Sequence, residues 1–415
     1  MTNTTTELSA MFKEVYADSL EYLLPKNLIF QQDIKFVPAE QSPGGYYHQP
    51  VVVKHEHGVT YQKGDAASAF TLLAPAAGII ADAKLIGAQL VLRSRIDYEC
   101  AARASSGGKR AFVAATRYVV ENMWQSIRKR LEISMLYGQV GIGAVSVVAT
   151  NDLTISDATW APGIWSGMEG AITEASVAAM TSSRTTPQYM TTTAVNLETK
   201  VISVDAAAGS IAATDLLWFK GSIAPAGTPV YHEAAGIHKI MTNATTLFNV
   251  SAATYSLWKA NTYALSSENL SFEAVQRLVA RAMAKGGDGD YTLYVSPATW
   301  ATMMSDQAAL RRHGDPNKSA RYEIGAEAIT FYTQLGKVQI KASIYVWEGF
   351  AYLIAPSRWH RVGATDITFR LPDRGDEFFL HLADAAGYEL RCYSNQAVFC
   401  EAPGTQGYIS GIVNT

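Results

Sequence analysis

KRAFVAATRYVVENMWQSIRKRLEISMLY, residues 109 to 137, repeats its apolar side chains every three or four positions. Phe112, Thr116, Val119, Val120, Met123, Trp124, Ile127, Leu131 and Met135 fall on one stripe of a helix with 3.6 residues per turn. Arg110, Arg117, Glu121, Arg128, Lys129 and Glu132 take the opposite face, where the pairs Arg117 to Glu121 and Arg128 to Glu132 stand four apart. Ser105 and Ser106 offer an N-cap and Gly138 a stop. At ~1.5 Å per residue this rod spans roughly 40 Å, longer than the usual globular helix. It predicts a backbone against which other layers pack.

Around it the chain has 415 residues, enough for two or three domains, with a formal net charge of −3 and 17% charged residues. No basic domain is present, so tight reading of nucleic acid sequence is not expected, although one face can meet a polyanion. Cys100, Cys392 and Cys400 are too few for a disulfide framework; they read as buried apolar residues in a reducing compartment. The start, MTNTTTELSAMFKE, lacks the basic and apolar regions of a secretory signal. No run of about 18 apolar residues is available to cross a membrane.

Residues 7 to 24 carry a short amphipathic pattern stopped by Pro25, and 27 to 49 reads as an extended segment with little core of its own. From Pro50 to Ala83 two strand-like runs flank a turn at Lys63, Gly64 and Asp65, which predicts a hairpin leaning on another part of an assembly. Ala88 to Tyr98 alternates Leu90, Leu92 and Ile96 with Arg93 and Arg95, a strand leading into the long helix. A second helix is expected from Ile164 to Met180, and a Thr-, Ala- and Ser-rich β insertion from 183 to 264. Ser271 caps a third helix that ends at Gly286-Gly287, a short helix follows from Pro297 to Asp306, and the rest reads mostly as strand. Helices and strands do not alternate regularly, which favours α+β.

Each catalytic or ligand motif lacks a residue that its chemistry needs. Gly107-Gly108-Lys109-Arg110 is not a phosphate loop, because Arg103 and Arg110 stand where glycine and a hydroxyl residue belong. Gly141-Ile142-Gly143 is followed by Ser146 where a dinucleotide loop has its third glycine. His232-Glu233 opens like a zincin, but Gly236 replaces the second histidine. His55 and His57 share a strand face with no third ligand nearby, and residues 286 to 290 lack the alternating ligands of a calcium loop. Arg374-Gly375-Asp376 reads as a turn. The expectation is a structural protein with no catalytic residues, no metal and no cofactor.

The order of elements resembles that of major capsid proteins of tailed double-stranded DNA bacteriophages, which have the Hong Kong 97-type fold. Local phrases carry the same similarity: LLWFKG at 216 to 221, GIHKIMTNATTLFNV at 236 to 250, SPATWATMM at 296 to 304 and ELRCYSNQAVFCEAPG at 389 to 404. The resemblance implies an N-terminal arm (1–49), an extended hairpin loop (50–83), a peripheral domain (84–137 and 363–415) containing the spine helix, an axial domain (138–182 and 265–362) and the β-rich insertion (183–264). It also implies self-assembly into an icosahedral shell of hexamers and pentamers around a genome, in a virion assembled in the host cytoplasm. A separate scaffolding protein, a portal, a decoration protein and non-specifically held DNA are its implied partners, with no membrane. Candidate inter-subunit contacts are Lys63, Gly64 and Asp65 at the hairpin turn, with Arg93, Arg95, Arg128, Lys129 and Arg130 facing neighbouring carboxylates or DNA. The alternatives are an encapsulin-like protein compartment, a hydrolase without a recognised motif, or a tail or adhesion protein.

Overall fold

The computed structural model describes residues 25, 28–38, 46–64, 69–97, 109–180, 182, 184, 189–205, 210–224, 229–305, 329–333, 336–370, 379–382 and 386–414. The long helix runs Lys109–Tyr137, as its periodicity requires. Met123, Ile127, Leu131 and Met135 are buried along the predicted stripe. Its end departs from the expected stop in detail. Gln139, not Gly138, takes the left-handed conformation, at φ 66°. Gly138 is needed for close approach: a Cβ there would stand 2.1 Å from the Ala234 carbonyl oxygen. Gly236 meets the same helix end and donates its N–H to the Gly138 carbonyl at 2.9 Å. The proposed caps at Ser105 and Ser106, the side chains of Arg110, Phe112, Thr116 and Arg117, and the helical pattern at 7 to 24 lie outside the described residues.

Strands β1 (Phe36–Pro38), β2 (Tyr47–Lys54), β3 (Ile79–Leu85) and β4 (Ala88–Asp97) precede the spine. After it, β5 (Gly143–Ala149), β6 (Asp152–Ile155), β7 (Ile172–Ser176), β8 (Met190–Asn196), β9 (Val201–Val204) and β10 (Leu216–Phe219) close into a barrel of order β10-β5-β6-β9-β8-β7. Two small hairpins follow, β11–β12 (Ile223–Ala224, Val230–Tyr231) and β13–β14 (Thr246–Leu247, Val250–Ser251). The last strands are β15 (Asn261–Glu268), β16 (Tyr291–Val295), β17 (Ile329–Tyr332), β18 (Lys337–Ala342), β19 (Phe350–Ile354), β20 (Trp359–Thr368), β21 (Phe379–His381), β22 (Gly387–Cys400) and β23 (Gly407–Ile412).

Six of these form a mixed central sheet, β15-β23-β19-β16-β18-β17. The helix Phe272–Ala284, whose N-cap Ser271 accepts a hydrogen bond from Ala274 N–H, buries Val275, Leu278 and Val279 with that sheet. A second sheet, β1-β20-β22-β21 with β4 added on β22, packs Leu390 and Cys392 against Met123 and Ile127 of the spine. The architecture is α+β, with the spine joining the sheets and the barrel through one buried core.

Four expectations are corrected. The segment after Pro25 is not an extended strip without a core: Ile29–Asp33 is a helical turn, and Leu28, Phe30 and Ile34 are buried in the main core. The helix expected over 164 to 180 stops at Trp165, because Gly167 and Gly170 turn to φ 65° and 82° and the chain then enters β7 to close the barrel. The β insertion does not begin at 183, since the barrel takes β5, β6 and β7 from before that position, while β15 belongs to the central sheet. Among the described residues the hairpin's ladder runs over Tyr47 to Lys54 and Ile79 to Leu85, and its root leans on its own chain.

Candidate functional site

The hairpin has two unlike halves. At its root, Tyr47, Val51, Ala83 and Leu85 point to a small core made by Val250, Trp258, Val362, Ala397 and Phe399. Lys84 N–H donates to the Phe248 carbonyl at 3.0 Å, and Asn249 Nδ2 to that of Asp82 at 3.2 Å. Phe248 and Asn249 reach these positions through left-handed backbone at φ 53° and 66°. On the outer face His48 meets Asp82 at 2.7 Å. Beyond Lys54 and Ile79 the described residues join the two arms by a β-bridge, His57 to Ala76, and by the Leu73 N–H, which donates to Thr60 Oγ1 at 2.9 Å. There Val59, Tyr61, Phe70, Leu72 and Leu73 are exposed, Tyr61 at 89% and Leu72 at 72%. An apolar patch left bare on a protruding element marks a contact surface. Lys63 and Gly64 lie on this exposed distal part, and Asp65 falls outside the described residues.

Arg93 and Arg95 lie on the exposed face of β4, whose other face, through Leu90 and Leu92, covers the spine. Arg95 pairs with Glu389 at 3.5 Å and Arg93 stands opposite Arg391 on β22, while Arg391 also pairs with Glu389. Three arginines thus surround one buried carboxylate and leave the face basic.

Arg128, Lys129 and Arg130 do not form an open basic surface. Arg128 Nε donates to Gln31 Oε1 at 3.3 Å, and Lys129 Nζ donates to the Ser166 carbonyl. Burial lowers Lys129 to about 8, helped by the neighbouring charge of Arg130. The Arg130 guanidinium lies 3.1 Å from the centre of the Phe219 ring, and burial brings it down to about 10. Two hollows of about 200 and 330 Å³ flank this contact, and Arg130 and Phe219 line both.

Glu132 is the largest departure from the helical-wheel reading. It does not pair with Arg128 on a solvated face; it is fully buried and accepts the Phe30 and Gln31 N–H groups at 2.8 and 3.1 Å. Burial pushes its carboxyl up to about 7 against those hydrogen bonds. Glu233 is likewise raised to about 7 by burial, opposed by Arg130. His238 sits among Tyr137, Trp347, Phe350 and Tyr352, with Nδ1 2.8 Å from the Tyr352 hydroxyl, and burial lowers it to about 3. Asp33 ties the first segment to the central sheet through Lys341 at 2.8 Å and through the Tyr294 hydroxyl. Spacing gave no sign of Glu132 or Asp33, because their partners are about 100 and 300 positions away.

Among the described residues no group of three His, Cys, Asp or Glu is placed to hold a metal, and no helix is long and apolar enough to cross a membrane. Cys392 and Cys400 are buried free thiols, both raised by burial, Cys392 to about 11. His55 and His57 are exposed, and residues 286 to 290 form the turn after the helix Phe272–Ala284. Arg374 to Asp376 lie outside the described residues.

No family model and no curated protein matches the sequence. Solved structures do match over the whole chain. The capsid asymmetric unit of cyanophage A-1(L) superposes with a TM-score of 0.55 at 10% identity, covering 99% of both chains. The capsid of the native GTA particle gives 0.55 at 6% identity with 100% of both chains covered, and that of the empty GTA particle gives 0.51 at 8% with 99% of both. At such identities the likeness is one of fold. This chain has the Hong Kong 97-type fold of a phage capsid subunit, from its first described segment to its last strand.

Proposed function

We propose that this protein is the subunit of an icosahedral shell that encloses the double-stranded DNA genome of a tailed phage, and that it has no catalytic role. The bare apolar distal half of the hairpin, on a chain with a capsid fold end to end, supports the reading most directly. Covering that surface with a second copy gives each subunit one reciprocal weak contact, and a closed lattice of hexamers and pentamers multiplies it. The hairpin at Lys63, Gly64 and Asp65 and the basic face at Arg93 and Arg95 are the proposed contacts. Arg128, Lys129 and Arg130 act inside the subunit, through Gln31, the Ser166 carbonyl and the Phe219 ring. A separate scaffolding protein, a portal, a decoration protein and non-specific contact with DNA complete the proposed partners, with assembly in the host cytoplasm.

Electron microscopy of particles purified from infected cells, with nuclease-protected DNA sought inside, tests the reading. Closed icosahedral shells holding DNA are expected. Shells holding protein cargo in place of DNA would establish an encapsulin-like compartment, fibres or tubes a tail protein, and a persistent monomer of 44.9 kDa with scaffold supplied would remove the shell altogether.

A further inference from the structure

Along one edge of the central sheet cations gather without carboxylates to match them. β15 ends that sheet, paired with β23 on one side and with no strand on the other among the described residues. The helix Phe272–Ala284 runs beside it and carries Arg277, Arg281 and, at its C-cap, Lys285, four residues or ~6 Å apart at each step. Lys259 stands just before β15. Arg277, Arg281 and Lys259 are exposed, and Lys285 is half-buried. Neutral acceptors hold three of the four heads. Arg277 donates to the Tyr263 hydroxyl at 3.1 Å, Arg281 lies 5.2 Å from the centre of the same ring and donates to the Thr262 carbonyl, and Lys285 donates to the Lys259 carbonyl at 2.7 Å.

Nearby acids offset little of this charge. Glu273 pairs with Arg277, Asp288 is engaged by Arg358 at 3.4 Å, and Glu268 lies at the far end of β15. Arg281, Lys285 and Lys259 make no ion pair among the described residues. Burial lowers the Lys285 ammonium, and the charge of Lys259 lowers it further. Like charges therefore meet here with no anion between them. An open strand edge ordinarily invites another strand. At this edge Arg281 and Lys285 already occupy the Thr262 and Lys259 carbonyls, so an incoming strand finds those acceptors taken, while both heads keep N–H donors to give. A line of fixed cations with a tyrosine ring beside two of them suits an evenly charged strand of phosphates, which phosphate-binding side chains position without reading sequence.

We propose that the ridge formed by Arg277, Arg281, Lys285 and Lys259 along the edge of β15 is a seat for the phosphodiester backbone of double-stranded DNA. The inference rests on the shell reading and deepens it by naming where the subunit touches the enclosed genome.

Fluorescence anisotropy of a labelled duplex of about 30 base pairs, titrated with the subunit across a sodium chloride series, reads the number of phosphates neutralised as the slope of log K against log salt. Arg281→Gln with Lys285→Gln and Lys259→Gln should flatten that slope by about 2 to 3 and weaken binding at low salt at least about tenfold. Lys35→Gln with Lys54→Gln, at exposed lysines elsewhere, should change it by less than about 0.5. The charge-keeping set Arg281→Lys, Lys285→Arg and Lys259→Arg should hold it within about 0.5 of wild type. If the triple Gln variant does not fold, Lys259→Gln alone, at an exposed side chain with no hydrogen bond among the described residues, should flatten the slope by about 0.9. A wild type without salt-dependent binding overturns the inference, as does an equal loss in the Lys35 and Lys54 variant or in the charge-keeping set. A triple Gln variant that keeps the slope but needs a higher concentration to form closed particles assigns the ridge to carboxylates of a neighbouring copy, and also overturns it. Closed particles from the wild type leave the shell reading standing through each of these results; their failure to form removes that reading by itself.

Discussion

The barrel and the hairpin are both antiparallel β structures, yet they resolve exposure in opposite ways. In the barrel every strand has two neighbours, because β10 pairs with both β5 and β7, and Leu153, Ile155, Ile202, Val204 and Leu217 fill the interior. Closure leaves no unpaired edge. The hairpin gains no third strand among the described residues, is seated at its root, and leaves Tyr61, Leu72 and Leu73 bare. A β segment that finds its cover within the chain builds the subunit. One that does not leaves apolar surface bare.

That contrast is open to direct attack, and subunit stability is the first measure. Leu153→Ala in the barrel interior should cost about 2–5 kcal/mol in denaturant unfolding, the usual range for a fully buried leucine. A loss below about 1 kcal/mol would show that the barrel is not part of the cooperative fold. Asp215→Ala comes next. Asp215 is buried at 2%, holds Arg184 at 2.6 and 2.7 Å and accepts Ala212 N–H at 2.8 Å, so about 2–3 kcal/mol should be lost.

The spine between the two regions should show a pH dependence. Glu132 and Glu233 are raised from 4.5 to about 7 in the fold. Their stabilising contribution is therefore complete below about 4.5 and is lost as pH rises through 7. His238 has the opposite sign, lowered from 6.5 to about 3, so its contribution holds above 6.5 and is lost as pH falls toward 3. Thermal melts from pH 5 to 8 should show a decline that Glu132→Gln reduces by on the order of 2 kcal/mol. An unchanged slope would remove Glu132 as its source. Last, changing Tyr61, Leu72 and Leu73 together to serine should leave subunit stability within about 0.5 kcal/mol of wild type. Particle formation should nevertheless fail; a marked loss of subunit stability would mean that the distal hairpin packs within its own chain.

Sequence periodicity was a good guide wherever an element's identity depends on its own residues. The spine from 109 to 137, the capped helix after Ser271 and the alternation of β4 needed no distant information. It misled where tertiary closure overrides local preference. The alanine-rich stretch after Trp165 suits a helix, but Ile172 to Ser176 becomes the strand that β8 and β10 require. Arg130 and Glu132 have the same origin: one helical turn places them toward solvent by residue type, while Phe219 and the turn at Phe30, far along the chain, enclose them. Patterning marks a charged residue as exposed unless the element that will bury it is already known.

The register of β1 on β20 sets an order in time. Phe36 lies beside Arg361 and Pro38 beside Gly363, in parallel. At ribosomal rates of about 5–20 residues per second, a nascent chain holds its first segment without this seat for on the order of tens of seconds. The platform beneath the hairpin root depends equally on late residues, Val362, Ala397 and Phe399. A truncated or half-made chain thus lacks both the anchor for its beginning and the support that aims its hairpin. Completion of synthesis is built into the fold as the condition for seating both its first segment and the root of its hairpin.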